Sequence, residues 1–305
     1  MTLKASAAKP KNLATALVPP EVLRERMLRP LPAITVRGLL IVVAALGILV
    51  WSWSASRPNV SNRVEGPLDA LGAMADLTVR MLPPEFELSR GTEATYPVFG
   101  TEITIGWPKV VNSVLVTIQM AIIGTLGAII MSIPLSLLAA RNTSPHPAIY
   151  QTVRLFLNFM RSIPELVYAL LFVAAVGLGP FTGVMALAFG SVGSMARIYA
   201  EAIEQIDPQQ VLAVRATGAS SIQTFIYAVI PQALPLLISY SIVYFEGNVR
   251  HATILGYVGA GGVGYDLFLY VGMSDYQKLL GTALILVIAV TIIDRFSSYL
   301  RQRFI

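Results

Sequence analysis

Gly259–Gly264 reads Gly-Ala-Gly-Gly-Val-Gly and satisfies G-x-G-x-x-G, the spacing with which a backbone turn approaches a pyrophosphate. A dinucleotide site also needs a strand before the glycines, a helix after them and an acidic residue at the end of the next strand. The flanking residues provide none of that context. A glycine bend, as a pore constriction between spans or as a plain turn outside the membrane, accounts for the segment equally well. No G-x-x-x-x-G-K-[ST] loop occurs, so the chain is not expected to hydrolyse ATP itself. It has no cysteine, which excludes disulfides, a thiol nucleophile and thiolate metal sites. His146 and His251 are its histidines, and neither has an adjacent carboxylate pair in sequence. No catalytic residue and no metal site is expected.

The elements that must carry any function are built for lipid. The chain is 55% hydrophobic and 13% charged, with a mean hydropathy of +0.68, and its apolar residues gather into runs near membrane-spanning length. A soluble chain with a net charge of +5 would suggest nucleic acid. Here the basic residues lie near the ends of apolar runs, which points to orientation in a membrane instead. The runs are Gly38–Trp53, Val110–Ala140, Ile149–Val176, Phe181–Tyr199, Ile226–Phe245 and Leu279–Ile293. They predict an all-α polytopic protein with six transmembrane helices. Residues 1–37 form a basic segment, 38–54 the first span, 55–109 an acidic, proline-containing connection, and 110–305 the core. Lysine and arginine outnumber acidic residues in 1–37 and beyond Ile293, and acidic residues outnumber basic ones in 55–109. The positive-inside rule then puts both termini in the cytoplasm and 55–109 outside.

One cytoplasmic stretch has structure of its own. Asp207 precedes Pro208 and has Gln210 three residues on, a capping-box spacing that predicts a helix to Ala216 or Thr217. Gly218 suits the positive φ of a helix end. Ser220 with Gln223 starts a second helix, whose Ile222, Phe225, Ile226 and Val229 make an apolar stripe before Pro231. Periodicity alone leaves two readings open: an interfacial elbow returning the chain to the bilayer, or a docking element that transmits motion from a cytoplasmic partner.

The Gly218-to-Pro231 spacing resembles the EAA loop of binding-protein-dependent ABC importer permeases, whose pattern is Glu-Ala-Ala, three residues, Gly, nine residues, Ile, one residue, Leu-Pro. In that register Leu212 stands where the family has Glu, Ala213 and Val214 take the two Ala positions, Ala228 the Ile and Ile230 the Leu. The absent Glu departs from the family at the residue that would make a salt bridge to the ATPase. Arg161–Phe172 (RSIPELVYALLF) and Gly256–Asp266 (GYVGAGGVGYD) are similar to two further permease segments. Arg215–Ser220, Val229–Pro235 and the stretch from Glu246 are most similar to the phosphonate permease (PhnE) family. The resemblance covers roughly Trp107 to Phe304.

The resemblance implies a type I importer permease core with cytoplasmic coupling helices at 207–231, in the inner membrane of a bacterial cell. Leu212, Ala213, Arg215, Ala216, Gly218, Ala219, Ser220 and Pro231 become the ATPase-coupling residues. The implied partners are a second copy of the permease, two ABC ATPase subunits that hold MgATP, an extracytoplasmic solute-binding protein and the lipid bilayer. The implied solute is phosphonate or a related oxyanion, with phosphite, phosphate, methionine or another small solute as alternatives. A secondary carrier is the rival class, although no internal repeat is visible. An oxyanion in a pore needs hydrogen-bond donors and positive potential in place of water. Candidates are Asn158, Arg161, Ser191, Ser194, Arg197, Ser239, Tyr240 and Tyr244 near span interiors, with Arg250 beside His251 at an outer mouth. Glu165 and Glu246 would repel the anion, and the expectation is that they pair with Arg161 and Arg250 or limit the gate.

Overall fold

The computed structural model describes residues 36–55, 67–87, 94–98, 101–105 and 108–304. The basic segment 1–35 and parts of the 55–109 connection, both included in the sequence reading, lie outside the described residues. The chain divides into Met1–Ala70 and Leu71–Ile305. In the first unit, α1 (Val36–Ala55) is a helix of 20 residues, about 30 Å at 1.5 Å per residue, whose apolar part, Gly38–Ser52, is shorter than the candidate spans of the second unit. Leu39, Leu40, Ile41, Val42, Val43 and Leu46 are all exposed on it, as an apolar surface meant for lipid would be.

The connection that follows is more regular than its prolines suggest. Helix α2 (Pro67–Met81) carries an Asp76–Arg80 ion pair one turn apart. Strands β1 (Ala94–Val98) and β2 (Thr101–Ile105) pair antiparallel, with Tyr96 opposite Ile103. Among the described residues this small hairpin is the only β-structure.

The second unit is a helical bundle. Its helices are α3 (Lys109–Ala139), α4 (Pro147–Arg161), α5 (Glu165–Val176), α6 (Pro180–Glu204), α7 (Pro208–Ala216), α8 (Ser221–Thr224), α9 (Ile230–Leu255), α10 (Val263–Gly272) and α11 (Tyr276–Phe304). Among the described residues α3, α6, the α8–α9 run and α11 are each long and apolar enough to cross a membrane. The pair α4–α5, bent by 82° at Ser162–Pro164, is long and apolar enough only when taken together, as a broken span or a re-entrant loop. The run Ile149–Val176 is therefore interrupted. Pro164 forces the break, because it has no N–H for a continuing helix and disfavours helical geometry in Ile163 before it.

Helix α6 is the central post. Its small residues let neighbours approach closely. A Cβ on Gly193 would lie 2.6 Å from the Arg161 backbone N, and one on Gly190 would lie 2.7 Å from Glu165 Cγ. Met120, Leu187, Ala186, Leu255 and Ala260 pack one core cluster, and Leu157, Ala196, Ala200, Ile203 and Val229 another. Midway along the bundle, buried Asn248 of α9 donates to Thr125 Oγ1 of α3 at 2.9 Å and accepts from Ser191 Oγ of α6 at 3.0 Å. Thr125 and Ser191 are at the middles of their helices, so this triad marks the bundle's mid-depth.

The two ends of the bundle differ. One, the glycine end, carries Gly177–Gly179 and the reversal at Gly256–Gly262. The other, the elbow end, carries the Ala140–His146 loop and the α7–α8 elbow. At the glycine end residues 82–87 strap α11 to α3. The Glu85 N–H donates to the Gln277 carbonyl at 3.1 Å. Glu87 accepts from the Tyr270 hydroxyl and from Lys109 Nζ. The Tyr270 hydrogen bond, only partly opposed by burial and reinforced by Lys109, holds the Glu87 carboxyl below its ordinary range. A depressed carboxylate stabilises the fold above its unfolded pKa and loses that contribution as pH falls through the folded value. Glu87→Gln is expected to lower Tm by about 2–4 °C near neutral pH. The gap should close in acid below the carboxylate range. Thermal unfolding of the detergent-solubilised pair across pH checks this, and a gap that widens in acid would contradict it.

Candidate functional site

The elbow forms from local signals. Asp207 Oδ1 accepts from the Gln209 N–H at 2.8 Å, which caps α7. The reciprocal half of the expected Asp207–Gln210 box is absent, because the Asp207 N–H donates to Gln232 Oε1 at 2.9 Å and so ties α7 to α9. Gly218 closes α7 with φ +82° and donates its N–H to the Arg215 carbonyl. Ser220 and Gln223 complete a full capping box at the start of α8. The apolar stripe is then split. Phe225–Val229 is a π-helical turn, and α9 follows it directly, with Pro231 on its first turn. Pro231 and Pro235 cannot donate, and the wider turn accommodates the disrupted ladder. Phe225 and Val229 pack inward with the core while Ile222 and Ile226 stay exposed.

The coupling candidates lie together at this end. Leu212, Ala213, Arg215, Ala216, Gly218 and Ser220 are exposed, Ala219 is half-buried, and Pro231 is exposed at the α9 start. Leu212, Arg215 and Ile222 rim a groove of about 710 Å³ floored by Phe225 and Val229. Val214, Thr217, Gly218, Ala219, Gln223 and Tyr227 line a second of about 560 Å³. Beneath the elbow, Glu204 accepts from the Arg141 N–H at 2.7 Å and from Arg154 Nη2 at 2.9 Å. This joins the ends of α3 and α6 to the middle of α4. His146 is the cap of α4, with its Nδ1 accepting from the Ala148 N–H.

The solute-path candidates separate into groups. Ser191 belongs to the buried mid-depth triad, and Ser239 is buried on α9. Asn158 accepts from Arg197 Nη1 at 2.6 Å, and Arg197 also pairs with Glu201 at 3.0 Å. Ser194 and Tyr244 are neighbours, with Tyr244 also close to the charge of Arg161, and Tyr240 and Tyr244 border the core cluster of Met160, Val192 and Tyr199.

One of the two expected ion pairs forms and the other does not. Arg250, two residues from the buried Asn248, is held by Glu246 at 2.8 Å and by Asp294 at 2.7 Å. Glu165 meets His251 at 3.7 Å rather than Arg161, because the α4–α5 bend carries Glu165 against α6 and toward α9. The last helix continues past Ile293 to Phe304. Asp294 and Arg301 pair with Arg250 and Glu246 of α9, so the polar end of α11 stays beside the bundle. Glu246, Asp294 and Arg301 were not among the path candidates. Their spacing on two apolar helices was the signal available.

The glycine-rich match lies between two helices rather than after a strand. Gly256–Gly262 reverses the chain between α9 and α10. A Cβ on Gly259 would meet Leu178, and one on Gly261 would meet Pro180. The Val263 N–H at the α10 start donates to Thr117 Oγ1 at 2.9 Å.

Residues 132–305 match the model of the binding-protein-dependent transport system inner membrane component family. The chain belongs to this family. It is a membrane-embedded permease component with the type I importer fold. It is 37% identical over 237 residues to the phosphite transport system permease protein PtxC of Stutzerimonas stutzeri, covering 78% of this chain and 80% of that one. It is 43% identical over 189 residues to the phosphate-import permease protein PhnE of Mycolicibacterium smegmatis, covering 62% of this chain but only 36% of that relative's length. Its fold matches a chain of the inward-facing MetNI methionine ABC transporter with a TM-score of 0.58 at 24% identity, covering 64% of this chain and 96% of the other. That likeness concerns the fold alone. The matched family region includes α6, the elbow, α9, α10 and α11.

Proposed function

We propose that this chain is the non-catalytic transmembrane subunit of an ATP-driven importer of phosphorus oxyanions, phosphonate first and phosphite or phosphate next. The observation that carries the solute class is the 37% identity to a phosphite permease across most of both chains. The geometry supports the permease role. The elbow presents an exposed face, and Asp207–Gln232 and the continuous α8–α9 run connect it mechanically to the helix that holds Asn248 at mid-depth. Force on α7 thus reaches α9.

In this reading a second copy completes the pathway. Two ABC ATPase subunits bind MgATP beneath the elbows, and an extracytoplasmic binding protein delivers the solute to the glycine end. Residues 1–37 and the C-terminus are cytoplasmic, 38–54 is the first span, 55–109 lies outside, and 110–305 is the core with its coupling loop at 207–231. Leu212 in place of the family Glu makes the contact beside Arg215 apolar.

The test is ligand binding by the cognate extracytoplasmic protein, measured by calorimetry with methylphosphonate, phosphite, phosphate and methionine. Binding of a phosphorus oxyanion is expected. Preference for methionine over every oxyanion would overturn the solute class. Because the chain has no cysteine, single cysteines placed at Ala219 and Gly179 report sidedness cleanly. Labelling of Gly179→Cys from outside and Ala219→Cys only from inside is expected.

A further inference from the structure

Arg161, Arg197 and Arg250 all stand within about a turn and a half of the bundle's mid-depth. Arg161 lies against Gly193, one residue past the middle of α6. A charge at this depth is costly unless it is paired or faces water. Arg197 is paired with Glu201 and hydrogen-bonded to Asn158, and Arg250 is clasped between Glu246 and Asp294. Arg161 differs: among the described residues no carboxylate oxygen stands within 4.0 Å of its guanidinium. Its nearest acidic neighbour along the chain, Glu165, is turned to His251.

A second observation points the same way. Arg161 ends α4 at the 82° break, and Arg161, Ser162 and Pro164 are exposed. Irregular backbone at membrane depth is tolerated where protein covers it or where it lines water. An exposed break beside an unpaired cation fits an aqueous passage. Ser194 follows Gly193, which lies against the Arg161 backbone, and Tyr244 of α9 is close enough to feel the charge of Arg161 together with those of Glu165 and Glu201. A guanidinium presents a planar fork of N–H groups that matches two oxygens of a phosphorus oxyanion.

We infer that Arg161 is the cation a phosphorus oxyanion meets midway across the membrane, while Arg197 and Arg250 are held in structural ion pairs. This rests on the oxyanion-importer reading and reduces its list of path candidates to one charged contact. The anion replaces water around Arg161 as it passes the break, and Glu165 and His251 stand on the far side of that break.

The test uses the whole complex in proteoliposomes with ATPase subunits and loaded binding protein. The probes are radiolabelled methylphosphonate, phosphite and phosphate. Uptake is normalised to assembled complex. Arg161→Gln is expected to lower uptake about 10- to 100-fold, the range for losing a charge-assisted hydrogen bond, with ATPase stimulation by the binding protein retained. Arg161→Lys keeps the charge without the fork and should recover part of the rate. Arg197→Gln and Arg250→Gln should lower the yield of complex but leave uptake per complex near wild type. Wild-type uptake by Arg161→Gln overturns the inference, as does an equal loss per complex in all three glutamine variants. Failure of both Arg161 variants to assemble also overturns it, by making Arg161 a structural or subunit contact. A wild-type complex that takes up none of the probes defeats the importer reading instead.

Discussion

Gly218→Leu is expected to leave the chain inserted and assembled with its ATPases while cutting solute uptake per ATP hydrolysed by about 10-fold or more, within the usual span of coupling between two sites. Gly218 has φ +82°, and a Cβ there would meet no atom of this chain within 4 Å. The substitution therefore costs little inside the permease beyond left-handed strain of about 1 kcal/mol. The consequence lies outside the chain. Gly218 lines the groove with Ala219, Gln223 and Tyr227, and a leucine there would fill the space that a docked surface needs. Gly218→Ala should be milder, and Gly218→Asn milder still because asparagine tolerates the left-handed region. Paired ATPase and uptake rates in proteoliposomes, with assembly checked separately, discriminate. Wild-type coupling in Gly218→Leu would remove this glycine from the coupling element.

Gly264→Ala should cause the largest loss of folded protein. A Cβ at Gly264 would stand 1.9 Å from the Thr253 carbonyl oxygen and 3.0 Å from the Gly256 Cα. Both are backbone atoms with no side-chain rotamer to absorb the clash. The α9–α10 reversal would have to open, at the upper end of the 1–3 kcal/mol typical of overpacking or beyond. Gly272, with nothing within 4 Å of a built Cβ, is the control. Size-exclusion yield of monodisperse protein is expected to collapse for Gly264→Ala and to hold for Gly272→Ala. Equal yields would mean that the reversal is not tightly packed.

The elbow was legible because its determinants are local. Asp207 before Pro208, Gly218 at a helix end and the Ser220–Gln223 box each act over a turn of chain. The π-turn at Phe225–Val229 was not legible, since it depends on how Pro231 and Pro235 unload the ladder while Val229 is anchored in the core. The pairing of Arg250 with Asp294 across α9 and α11 was not legible either, because it joins residues far apart in sequence. The same holds for the long-range contacts Thr125–Asn248 and Ser191–Asn248. Glu165 was matched to Arg161 because they are one helical turn apart in sequence, but Pro164 breaks the helix between them. The β1–β2 hairpin was obscured by Pro97, which weakens a strand reading, although Phe99-Gly100 between two β-branched and aromatic runs offered a turn signal.

The central claim is that ATP hydrolysis by partner subunits, delivered through the elbow, drives a phosphorus oxyanion through this chain. The most direct measurement is time-resolved accumulation of the oxyanion bound by the cognate extracytoplasmic protein. Proteoliposomes would contain the purified permease and its ATPases, with and without MgATP inside, at zero ion gradient. The account predicts accumulation against a concentration gradient only with MgATP, and its abolition by a Walker-lysine substitution in the ATPase. Accumulation driven by an imposed ion gradient without ATP would contradict it and identify a secondary carrier.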